Sequence, residues 1–112
     1  MASGPDAYLV LFLARRGRAV IVVEDVHVLR AQENRRATDA EIELTVRQGR
    51  LRRRKCRAFA RRSYDKICLY RYFGKARRTI EVVLLYDREF DTIEVRTVWT
   101  HRGRKEGEGS RG

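Results

Sequence analysis

Between residues 79 and 86 the chain carries Val82-Val83-Leu84-Leu85, four apolar residues in succession. A strand that is apolar at both parities must be buried on both faces, which places it in the middle of a sheet with a helical layer on one side. Its neighbours follow from the same pattern. Residues 65–73 and 92–99 are rich in β-branched and aromatic side chains, and the connections 74–78 and 87–91 are short enough for antiparallel hairpins. The three strands form a meander. In the last of them Ile93, Val95, Thr97 and Trp99 alternate with Thr92, Glu94, Arg96 and Val98, which predicts that the first set packs inward.

The remaining elements are shorter. Residues 7–13 and 18–23 read as two strands joined around Gly17, and residues 51–60 as a further strand. From Asp25 to Gly49 there is no Gly or Pro, and Val26 and Leu29 stand three apart, so the spacing predicts helices over about 25–36 and 39–48. Thr38 followed by Glu41 is a capping box that starts the second helix, Ile42 and Val46 mark its inner face, and Gly49 is expected to end it as a C′ residue. The expected fold class is α+β, a helical hairpin packed on a twisted antiparallel sheet of four or more strands. Its expected bounds are residues 7–102, with a short tail before and a disordered basic tail over 103–112.

Charge narrows the function. The stretch from Arg47 to Arg62 holds nine Lys or Arg residues (Arg47, Arg50, Arg52, Arg53, Arg54, Lys55, Arg57, Arg61 and Arg62) and no Asp or Glu, in a chain with a net charge of +11. Such a run is a phosphate-binding surface in expectation, because a merely solvated face mixes signs. A heat-adapted surface is the competing reading. The one Asn and two Gln fit it, but a charge network needs acidic partners that this stretch lacks.

Other chemistries find little support. The apolar blocks are too short to cross a bilayer, and residues 7–13 run into Arg15, Arg16 and Arg18 rather than a cleavage site, so neither a membrane span nor a signal peptide is expected and a cytoplasmic location is. Cys56 and Cys68 are too far apart for a C-x-x-C motif and only His27 and His101 could join them, so no metal or other cofactor is expected. They read as buried thiols, or as a disulfide in a hyperthermophile. Gly17, Gly49, Gly74 and Gly103 are isolated from one another, so no nucleotide-binding loop is expected, and carboxylates gather only at helix starts. Tyr70 and Tyr72 alternate away from Arg71 beside Lys75, the arrangement by which an open sheet face stacks bases and grips phosphates. Arg96, Thr100, His101 and Arg102 read as a strand end entering a basic tail.

At His27 to Ile42 the chain reads H-V-L-R-A-Q-E-N-R-R-A-T-D-A-E-I, which resembles the H-A-x-x-R-M-x-x-R-G-I-[ST]-x-x-x-[IV] opening of a domain family in the RelE/ParE-like toxin superfamily, whose fold is likened to barnase. Tyr70-Arg71-Tyr72-Phe73-Gly74 and the closing V-R-T-V-W of Val95 to Trp99 stand in that family's order. The match covers about residues 19–101 and departs at Ala31 and at Arg36-Ala37, where the motif has Arg and Gly-Ile. The resemblance implies a RelE-like fold and a metal-independent endoribonuclease of the toxin type. It implies His27 as acid or base, Arg35 and Arg71 as phosphate clamps and Tyr72 as an orienting hydroxyl or stacking ring. Its implied partners are RNA, in a ribosome-associated setting, and an acidic antitoxin. Two other readings stand beside it: a non-catalytic binder of ribosomal or structured RNA, and a ParE-like or mobile-element factor that contacts another protein.

Overall fold

The structure, a computed structural model, describes residues 6–23, 37–59 and 63–103. In order these form helix α1 (Ala7–Arg15), strand β1 (Val20–Val22), helix α2 (Asp39–Gln48), strand β2 (Arg50–Leu51), a 3₁₀ turn (Arg53–Lys55) and strands β3 (Arg57–Ala58), β4 (Tyr64–Phe73), β5 (Arg78–Asp87) and β6 (Thr92–Arg102). The fold is α+β. The six strands make one sheet in the order β1-β6-β5-β4-β2, with β3 also on β4, so the apolar strand β5 is central as its two-faced pattern requires. All pairings are antiparallel except that of β1 with β6. The helix expected over 25–36 lies outside the described residues.

One face of the sheet carries the core. Ile67, Leu69, Ile80, Val82, Leu84, Tyr86, Ile93, Val95 and Val98 meet Leu9 and Phe12 of α1 and Ile42 and Val46 of α2, all essentially fully buried. Residues 7–13 are therefore helix rather than the expected strand. A short unbroken apolar run has no period that separates the two, and here Leu9 and Phe12, three apart, turn inward while Val10 and Leu13 stay exposed. Phe12 meets the Tyr86 ring edge to face, with centroids 5.4 Å apart. The strand expected over 51–60 is also broken. The 3₁₀ turn interrupts it, and Cys56 Sγ accepts the Cys68 N–H at 3.3 Å where the edge of β4 has no strand partner; the two thiols are not joined in a disulfide.

Helix α2 begins at its capping box: Glu41 N–H donates to Thr38 Oγ1 at 3.1 Å and Thr38 N–H to Glu41 Oε1 at 3.0 Å. It ends at Gly49, in extended backbone (φ −70°) rather than the left-handed C′ geometry expected. Glycine is required for space, since a Cβ there would lie 2.4 Å from the Thr45 carbonyl oxygen. Two arginines lock α2 to the segment after α1. Arg16 donates to the Val46 and Gly49 carbonyls, and Arg47 to those of Arg16 and Ala19.

The alternation expected in β6 fails halfway along. Val83 pairs with Thr97 but Leu84 with Val95, so Arg96 is the extra residue of a bulge. Beyond it the parity reverses: Val98 is buried and Trp99 is 43% exposed. Trp99 and His101 thus join the face turned away from the helices.

Phe12→Ala is expected to lower stability by ~3–5 kcal/mol in urea denaturation, and Val10→Ala to change it by less than ~0.5 kcal/mol. Equal effects would contradict the helical phase of α1.

Candidate functional site

On the open face the strand register arranges side chains in rows. Arg50, Tyr70, Glu81 and Trp99 are successive cross-strand partners on β2, β4, β5 and β6, and Tyr72, Thr79 and His101 form the adjacent row. Glu81 is the centre. Its side chain is 3% exposed, followed in β5 by the apolar run Val82 to Leu85, and a carboxylate so placed needs partners. Lys55 Nζ donates to Oε2 at 2.9 Å and Cys68 Sγ to the same oxygen at 3.2 Å; Arg52 Nε lies 3.5 Å from it, and His101 Nε2 is 3.1 Å from Oε1. The Arg52 guanidinium also covers the Tyr70 ring at 4.9 Å.

These partners set protonation. Burial by itself pushes the Glu81 carboxyl up, but the Lys55 and Cys68 hydrogen bonds, the Arg52 charge and the His101 contact outweigh it and hold the group below its ordinary range. Burial, reinforced by the neighbouring carboxylate, pushes the Cys68 thiol far up, so Cys68 is a hydrogen-bond donor and not a nucleophile. Facing a carboxylate oxygen, His101 must carry a hydrogen on Nε2. Arg52 and Lys55 set two basic side chains against the one carboxylate. At the other end of the same face the sign reverses: a cavity of about 360 Å³ is lined by Tyr64, Leu85, Phe90, Asp87 and Glu94.

The sequence candidates distribute unevenly around this centre. Tyr70 and Tyr72 lie on the open face, and Lys55 and Arg52 reach Glu81. Arg71 points to the helical face, its guanidinium 4.8 Å from the Phe73 ring. Arg47 is held by backbone carbonyls and by Glu43 at 3.1 Å, and Arg53 pairs with Asp6 at 2.7 Å. Arg50, Arg54 and Arg57 are exposed along β2, the 3₁₀ turn and β3, and Lys75 is exposed in the β4–β5 turn. His27, Arg35, Arg61 and Arg62 lie outside the described residues.

The sequence pattern does not single out Glu81, it places His101 at a strand end entering a basic tail, and it turns Trp99 inward; the structure keeps His101 in β6 and turns Trp99 outward. The available signal was a lone carboxylate beside the apolar run of the central strand. Among the described residues no three His, Cys, Asp or Glu side chains stand where one metal ion could be held, and no helix is long and apolar enough to cross a membrane. No protein-family model, curated protein or solved structure matches the chain.

A carboxyl whose folded pKa lies below its unfolded one stabilises the fold fully above the unfolded value and loses that contribution as pH falls through the folded value. Glu81→Gln should therefore be less stable than the parent at pH 7 by ~1–3 kcal/mol, with the gap narrowing below about pH 4.3. Urea denaturation between pH 7 and 3 measures it, and a constant gap would rule out a contribution from the charge.

Proposed function

We propose that this chain is an RNA-directed protein of RelE-like fold that cleaves RNA without a metal, with His101 as its acid–base group. The observation that carries the reading is the Glu81–His101 pair at 3.1 Å, beside Lys55 and the exposed Trp99 ring, at the basic end of an open sheet face.

Exposure divides the roles. Glu81, at 3% exposure, touches no substrate; it is a positioning residue that fixes the tautomer of His101, whose side chain is 30% exposed. Nδ1 of neutral His101 accepts the ribose 2′-hydroxyl proton, and the freed oxygen attacks the adjacent phosphorus. The bond to the 5′-oxygen breaks, and that oxygen leaves with a proton from the solvent, giving a 2′,3′-cyclic phosphate and a 5′-hydroxyl end. Lys55, half exposed, supplies positive charge where the phosphorane builds negative charge. Trp99 offers a ring on which a base stacks, a contact any base can make. The exposed cations of residues 50–57 hold the backbone, so binding should weaken steeply with salt.

Total RNA incubated with the protein in EDTA should yield discrete fragments ending in cyclic phosphate. His101→Ala should slow cleavage by ~10²- to 10⁴-fold, while Arg71→Ala, on the other face, should leave it within a few-fold. Intact RNA that shifts on a native gel and is released by salt would instead identify a non-catalytic binder. Activity lost in His27→Ala and kept in His101→Ala would move the acid–base role to the histidine of the resemblance.

A further inference from the structure

At the end of the sheet, where the β4–β5 turn meets the last residues of β6, a cavity of about 400 Å³ is lined by Ala76, Arg77, Arg78, Thr100, His101 and Arg102. Three of its six lining residues are arginines. Arg78 is committed to Glu41 at 2.6 Å, whereas the side chains of Arg77 and Arg102 are exposed and form no ion pair among the described residues. Arg77 also has a left-handed backbone, φ +53°, in a turn position that glycine would occupy without strain. The turn itself is closed by backbone groups alone: Arg77 N–H donates to the Gly74 carbonyl and Gly103 N–H to that of Arg77. Nothing in the turn's own hydrogen bonding calls for an arginine side chain there. A large cation kept where it strains the backbone, facing a cavity with a second unpaired guanidinium, points to a ligand that both of them grip.

We propose that this cavity is a phosphate subsite, and that it takes the RNA phosphate next to the one being cut. The assignment rests on the cleavage reading above, through His101, which lines the cavity and also pairs with Glu81. A strand whose scissile phosphate sits at His101 on the open face continues over the start of β5 and the end of β6. Its next phosphate meets Arg77 and Arg102, whose planar donors suit a phosphate's paired oxygens.

The test uses a dinucleotide blocked by 2′-O-methylation at its first ribose, with no terminal phosphate, with one at the 5′ end, or with one at the 3′ end. Affinity is read from quenching of the single tryptophan. The parent should gain about tenfold from a phosphate at one end, equivalent to ~1.4 kcal/mol, and Arg77→Gly and Arg102→Ala should lose that gain. Arg77→Gly should meanwhile keep or raise the melting temperature, because glycine relieves the left-handed backbone. A parent indifferent to both terminal phosphates, or a gain retained in both variants, overturns the subsite; so does a lower melting temperature in Arg77→Gly, which would make the arginine structural. Cleavage of long RNA by the same proteins separates the two readings. If the parent leaves RNA intact while the phosphate gain depends on Arg77 and Arg102, the subsite stands and the cleavage reading falls. If the parent cleaves and the gain is absent, the reverse holds.

Discussion

The carboxylate of Glu81 organises the open half of the molecule. A charge cannot sit in the central strand of a sheet without compensation, and this one draws its partners from four places: Arg52 beyond β2, Lys55 from the 3₁₀ turn, Cys68 from β4 and His101 from β6. The irregular segment between β2 and β3 is thereby tied to the middle of the sheet, although it forms only short ladders on the edge of β4. Asp65 shows what the arrangement achieves. It is equally buried, with Arg88 at 3.5 Å; burial outweighs that charge and a hydrogen bond from the Phe59 backbone, and the carboxyl is pushed above its ordinary range. Of two buried carboxylates, the one with several donors is held below its ordinary range and the other is pushed above it.

The helical face is held by a different means. Arg16 and Arg47 each satisfy carbonyls on the other's segment, where helix α2 ends and the chain after α1 passes it. At the opposite end of α2 the capping-box glutamate, Glu41, also receives Arg78 from the start of β5. The first turn of the helix is therefore tied to the sheet through Glu41, and its last turn to the segment after α1 through carbonyls that the helix itself leaves unpaired. Arginine here works largely as a backbone binder, which separates the count of basic residues from the count of cations that a polyanion can reach.

That separation explains how much was legible in the sequence. The meander, the central position of β5, the capping box and the inner face of α2 all follow from local pattern, and local pattern decided them. The apolar run 7–13 fits strand and helix equally, and tertiary packing of Leu9 and Phe12 chose between them. The site was less visible because it is an object of register. Tyr70, Glu81 and Trp99 are eleven and eighteen residues apart in sequence, and become neighbours only through the pairing of three strands. Charge density pointed to Arg52 and Lys55 but equally to Arg47, whose guanidinium is bound to carbonyls.

The bulge at Arg96 is the smallest feature with the largest consequence. Without the extra residue, the period of β6 would carry Trp99 and His101 to the helical face and send Val98 outward. A one-residue insertion thus exchanges an apolar side chain for an indole and an imidazole beside Glu81. The exchange exposes a tryptophan, an arrangement with no benefit to the core, and it brings together the two side chains on which the proposed acid–base site and stacking platform depend. Bulges that re-aim side chains recur beside functional sites for this reason. A feature that worsens burial while it completes a charged, partly exposed constellation is better explained by what that constellation binds than by the stability of the sheet.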